Sequence, residues 1–157
     1  MSRDKWDPGA KTILMRTLFC TLALLSLSDA RAADPPIASV TSVSAVSWTP
    51  LDPKSPAGVQ IAVIQGDLRN GPTSFFMKFP AGSASPQHAH THDYYGVVVS
   101  GTPGHGATAE AAATPLSAGA WWYQPGMQYH YDRCLGPSEC VLLLTFPAGG
   151  FDYVPAK

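Results

Sequence analysis

The stretch Gly82-Ser-Ala-Ser-Pro-Gln-His88-Ala89-His90-Thr91-His92-Asp93-Tyr94-Tyr95-Gly96 sets three imidazoles at alternate positions. In an extended chain, residues two apart point to one face, so neighbouring imidazoles can converge on one ion. Imidazole suits zinc, iron, copper and nickel. Asp93 stands out of phase with His92, so in a regular strand the two cannot both face that ion. A second stretch follows, Gly119-Ala-Trp121-Trp122-Tyr123-Gln124-Pro125-Gly126-Met-Gln-Tyr-His130. Four of the five histidines lie in these two stretches.

Outward from them, short apolar runs alternate with Gly/Pro turns. Residues 59–64 form an apolar-rich strand that stops at Gly66-Asp67, and Thr73–Phe79 is aromatic-rich and ends at Pro80. Tyr94–Ser100 is closed by Gly101, and Trp121–Gln124 lies between Gly119 and Pro125. Residues 127–133 and 141–146 supply two more strands, while Glu110 and the three alanines after it have room for one helical turn. Nothing in 33–157 carries a sustained helical apolar stripe. Seven or eight short strands at this spacing predict an all-β sandwich or jelly-roll barrel.

Composition agrees. The chain has 157 residues, 13% charged and 45% hydrophobic, with 14 Gly and 15 Pro. The charged share is about half the usual one, which excludes coiled coils and charged disordered tails. A net charge of −1 and the lack of any Lys/Arg cluster exclude a nucleic-acid partner. No G-x-S-x-G elbow, phosphate-binding glycine loop or C-x-x-C pair is present, which disfavours serine-hydrolase, nucleotide and dithiol chemistry.

The two histidine stretches resemble the motifs of the cupin superfamily. The first family motif, G-x5-H-x-H-x3,4-E-x6-G, is matched by Gly82, His88, His90, Tyr94 and Gly101. The second, G-x5-P-x-G-x2-H-x3-N, is matched by Gly119, Pro125 and His130, with Gly126 one place early. The 17 residues between the motifs, 102–118, suit a compact member. The resemblance implies a single-domain double-stranded β-helix, a jelly-roll barrel, with a metal in its mouth on His88, His90 and His130. The departures are Tyr94 (or Tyr95 at the longer spacing) in place of Glu and Cys134 in place of Asn. Three readings follow: three histidines alone hold an oxygen-activating metal, as in cupin thiol and diketone dioxygenases; His92, Asp93 or Tyr94 replaces the Glu for isomerase or hydrolase chemistry; or the barrel binds a small ligand without turnover. The implied cofactor is a divalent transition metal (Fe, Zn, Mn, Ni or Cu), and the partner is a small-molecule substrate or ligand. Assembly as a homodimer is left open.

Other residues have plainer readings. At most one side of the Trp121-Trp122-Tyr123 trio faces a cavity, and Trp48 reads as ordinary packing. His105, between Gly104 and Gly106, reads as a solvated loop residue, and Asp132-Arg133 as a surface turn. Residues 129–133 and 141–146 read as a paired antiparallel hairpin, whose facing ends Cys134 and Cys140 are close enough for a disulfide.

Residues 1–32 read as an export signal, with 1–14 a candidate upstream mis-start. Lys11 and Arg16 precede the 11-residue apolar run 17–27, and Ala30-Arg31-Ala32 fits a cleavage site. The run is too short to span a bilayer, which takes roughly 20 residues. Residues 33–47 read as an N-terminal arm and 48–157 as the cupin domain, periplasmic or secreted and free of the membrane after cleavage. The exported form should begin at Ala33 or within a few residues of it by intact-mass spectrometry. A full-length cytoplasmic product contradicts this, and removes the oxidising compartment on which the disulfide depends.

Overall fold

Ten short strands, punctuated by glycine and proline, make up the described part of the chain. The computed structural model describes Val40–Lys157, so the expected export signal and the start of the arm lie outside the described residues. Residues 40–47 carry one 3-10 turn, Val43–Ala45, with no buried residue. The strands are β1 (Thr49–Pro50), β2 (Gln60–Gly66), β3 (Thr73–Phe79), β4 (His88–Ala89), β5 (Tyr94–Ser100), β6 (Pro103–Gly106), β7 (Trp121–Gln124), β8 (Tyr131–Cys134), β9 (Cys140–Phe146) and β10 (Val154–Pro155). Among the described residues no helix is long and apolar enough to cross a membrane.

Six strands form one antiparallel sheet in the order β1-β2-β3-β9-β5-β7. Its inner face follows from alternation. In β3, Thr73, Phe75, Met77 and Phe79 are buried while the residues between them are half-buried. The pairing Phe75↔Leu144 and Met77↔Leu142 sets β9 on the same face. Phe75, Phe146 and Phe151 pack as an aromatic triad, with Tyr94 stacked on Phe146 at 4.9 Å. Each such side chain, fully buried, contributes about 1.5–3 kcal/mol. β2 leaves this pattern at a bulge between Val63 and Gln65, and Val63 and Ile64 are exposed.

The second layer is assembled from smaller pieces. β10 pairs with β4 and β6 with β8, and the bridges Ala84↔Arg133 and His88↔His130 join these two pairs. The protein is thus an all-β domain of two layers around one core. Gly96 is required where the sheets meet the barrel interior. A Cβ there would lie 2.2 Å from the ring of Trp122, its cross-strand partner, so only glycine lets the indole lie across β5.

Two expectations are corrected here. His105 is not in a loop: it sits in β6, opposite Asp132 of β8. Its flanking glycines serve close packing, since a Cβ on Gly104 would fall 1.9 Å from the carbonyl oxygen of Ala112 in the turn Ala111–Ala113. Nor do residues 129–133 and 141–146 form a hairpin. β8 pairs with β6 and β9 with β3 and β5, because the chain between the two cysteines crosses from one layer to the other.

Cys134 and Cys140 are nevertheless bonded, with Cα atoms 5.7 Å apart, and the bridge ties the end of β8 to the start of β9. Both are buried in the core. Closing so short a loop stabilises the fold by about 2 kcal/mol in the chain-entropy model. Reduction, or the Cys134→Ser/Cys140→Ser pair, should lower the melting temperature by about 5–10 °C. Two titratable thiols in the natively exported, unreduced protein would contradict the bridge.

Candidate metal centre

His88 and His130 face each other across the second layer. The His88 N–H donates to the His130 carbonyl at 3.0 Å, and the His130 N–H donates back at 2.8 Å. That bridge fixes register, and alternation then turns His90 and Asp132, each two residues further along, to the same side. The Met127 N–H donates to the His90 carbonyl at 2.7 Å and extends the alignment. Ring centroids of His88 and His130 lie 4.4 Å apart, and His90 lies 5.1 and 5.3 Å from them. One ring nitrogen from each of His88, His90 and His130 falls within 4.8 Å of the others, so one ion can be shared.

The free nitrogens are selected by the backbone. His88 Nδ1 donates to the Pro86 carbonyl at 2.9 Å, His130 Nδ1 to the Gln128 carbonyl at 3.1 Å, and His90 Nδ1 to the Asp152 carbonyl. A carbonyl only accepts, so each proton sits on Nδ1 and each Nε2 keeps its lone pair. This is the tautomer metal-ligating histidines adopt when their outer nitrogen is held. Burial lowers the pKa of His90, and it lowers that of His130 to about 4 against the opposing pull of Asp132 and the Gln128 carbonyl. Both rings are neutral at neutral pH. Three buried, pre-oriented imidazoles fit a divalent transition metal.

Tyr94 stands where the family motif has Glu. It is 2% exposed, and its hydroxyl lies 3.2 Å from His130 Nε2. Burial, and then the charge of Asp132, raise its pKa well above the ordinary phenol value. It is a neutral hydrogen-bond donor, not a phenolate.

Three further expectations change. His92 is outside the cluster, and its ring packs on Gly149. The extended run ends at Thr91-His92, where the Asp152 carboxylate accepts from the Thr91 N–H at 2.8 Å and from its hydroxyl. Asp93 also turns away. It accepts from the Gly126 N–H and the Tyr123 hydroxyl, both at 2.7 Å, and so locks the second motif's turn. Asp132, read as a surface turn, is buried beside the histidines. Its Oδ1 accepts from His105 Nδ1 at 2.8 Å, and its Oδ2 lies 3.4 Å from His88 Nε2. Desolvation would raise its pKa, but His105 and the other imidazoles outweigh that and leave it lowered. The available sequence signal was parity, because Asp132 has the same phase as His130.

Beside the cluster is a cavity of about 90 Å³, lined by His88, His90, Tyr94 and Asp132 on one side and by Phe79, Leu142, Leu144 and Trp122 among its apolar residues. One water needs only about 10–15 Å³, so a small organic molecule has room. Trp122 alone of the aromatic trio lines it, while Trp121 and Tyr123 are exposed. Its indole N–H is buried without an acceptor. Trp48 lies elsewhere, under the Lys78 ammonium at 4.7 Å.

The fold is that of a cupin-like double-stranded β-helix. The KdgF protein of Halomonas sp. superposes with a TM-score of 0.53 and 24% identity, covering 71% of this chain and 94% of that one. An uncharacterised double-stranded β-helix protein of Klebsiella pneumoniae gives 0.57 and 18%, covering 76% and 100%. An RmlC-like cupin of Ralstonia eutropha gives 0.56 and 22%, covering 73% and 71%. At this identity the likeness concerns fold alone. No curated protein matches the chain. The chain belongs to the DUF4437 family, described as a domain of unknown function, which it matches over residues 39–155.

The lowered histidines set a pH dependence. Unfolded histidine titrates near 6.5, while folded His130 titrates at about 4, so between these values the unfolded chain binds more protons. Stability of the metal-free protein should therefore be full above pH 6.5 and fall progressively towards pH 4. Thermal melts across that window check it; a melting temperature that is flat or rises on acidification contradicts it.

Proposed function

We propose that this cupin holds one divalent transition metal on His88, His90 and His130 and acts on a small organic molecule in an oxygen-dependent reaction outside the cytoplasm. The carrying observation is the fixed tautomer: three Nδ1 protons committed to backbone carbonyls leave three Nε2 lone pairs for an ion. When bound, such an ion supplies an open coordination face for dioxygen or a substrate oxygen.

The cavity argues for the class of substrate. No Lys or Arg lines it, and most of its lining is apolar. A sugar phosphate or polyacid finds no counter-charge there. A compact, largely apolar molecule with one or two oxygen acceptors fits, with Tyr94 and the unpaired Trp122 N–H as donors. Tyr94 keeps its proton at neutral pH and can hold an acceptor in place without competing as a charged ligand. The Cys134–Cys140 bridge fits an oxidising compartment, consistent with export.

Elemental analysis of protein purified from the periplasm or medium tests the site. Wild type should carry close to one equivalent of metal, His88→Ala and His130→Ala little, and His92→Ala most of it. Oxygen uptake with thiols, diketones and phenols should then depend on that metal. Metal-free wild type that cannot be loaded refutes the proposal and leaves a non-catalytic ligand-binding barrel.

A further inference from the structure

The Asp132 carboxylate is buried among three imidazoles with one oxygen unpartnered. Oδ1 accepts from His105, but Oδ2 lies 3.4 Å from His88 Nε2 and 3.7 Å from His130 Nε2, and among the described residues no donor hydrogen-bonds to it. Neither facing nitrogen has a proton to give it, because their rings have placed the proton on Nδ1, and that of His130 also accepts from the Tyr94 hydroxyl at 3.2 Å. Lone pairs turned on a carboxylate oxygen repel. A cation between them converts that repulsion into coordination. Two ligand atoms about 2.0–2.2 Å from a tetrahedral ion are roughly 3.3–3.6 Å apart, a range that holds the His88 spacing and that the His130 spacing exceeds by a tenth of an ångström.

We propose that Asp132 is the carboxylate ligand of this centre, supplied from β8 in place of the Glu that Tyr94 displaces in the first motif, and that His105 positions it. The inference rests on the three-histidine reading above and adds a fourth protein ligand to it. The symmetry of the layer supports it: His88 and His90 along one segment, and His130 and Asp132 along the antiparallel segment that the His88↔His130 bridge joins to it, are two i, i+2 pairs.

His105 also belongs to a compact group with His130 and Asp132, so it is a rival ligand. Its geometry argues otherwise. Nδ1 is bonded to Asp132 Oδ1 and Nε2 faces Gln124 Oε1 at 3.1 Å, so neither nitrogen is turned to an ion. The Gln124 amide is itself oriented, because its Nε2 donates to the Gln128 carbonyl at 3.0 Å, the same oxygen that accepts from His130 Nδ1. The His105 ring stacks on Trp122 at 4.6 Å. Gln124, His105 and Trp122 together clamp the carboxylate.

The test is Co(II) titration of the metal-stripped full protein against a chelator of known affinity, following the visible bands that report coordination. Wild type should bind one equivalent. Asp132→Asn, which keeps shape and loses charge, should weaken binding by about 100-fold or more and alter the bands. His105→Phe, which keeps the stack on Trp122 but cannot bond Asp132, should weaken it about 10-fold, and His105→Gln should recover most of that. Unchanged affinity and bands in Asp132→Asn overturn the proposal while leaving the three-histidine site standing. Failure of wild type to bind Co(II) or Zn(II) overturns both. If Asp132→Asn does not fold, the His105 pair decides: loss with Gln rescue supports the role of Asp132, and no loss in His105→Phe counts against it.

Discussion

Two backbone hydrogen bonds between His88 and His130 carry the site, because they set the register of the strands that bear every inward-facing imidazole of the cluster. Strand side chains have a period of two, so a slip of one residue would turn His88 and His90, or His130 and Asp132, out of the barrel. The bridge itself is short. It is supported by β10 on one side, by β6 on the other, and by the disulfide that ties β8 to the large sheet. The site is thus built on a two-residue strand, an isolated bridge and the residues beside them.

Burial then decides the chemistry of the side chains the register has gathered. Removing His90 and His130 from water disfavours their charged forms, and the backbone carbonyls choose which nitrogen keeps the proton. The same low-dielectric interior keeps Tyr94 neutral. Asp132 is the exception: it remains a carboxylate because His105 bonds to it and other imidazoles surround it. Placing an anion so deep in a mostly apolar barrel is costly without a positive partner. The divalent cation proposed above would supply one.

The fold by itself says little about the reaction, since one scaffold hosts many chemistries and the site must carry the argument. Here the apolar wall contributed by β3 and β9 continues from the core directly into the cavity. Gly96 admits Trp122 to that wall, and Trp122 in turn stacks on His105. Core packing and site geometry are therefore coupled through one indole. The small cavity and its lack of cationic lining limit, by size and charge, what could bind there.

The amino-acid order alone determined the all-β class and the main strands, because period-two alternation and glycine-proline punctuation are local signals, while the trio His88, His90 and His130 followed from the resemblance of its two histidine stretches to the cupin motifs. It also placed Cys134 and Cys140 as partners, although through a hairpin that does not exist; the bond instead joins two layers. His92 shared the parity of His88 and His90, yet a bend at Thr91-His92, pinned by the distant Asp152, removed it from the cluster. Asp132 and His105 were misplaced for the converse reason. A short polar residue before Arg and a histidine between glycines look solvated along the chain. Only the pairing of β6 with β8 buries them against each other and beside the histidine trio. Alternation says which residues share a face, and tertiary pairing alone says what that face meets.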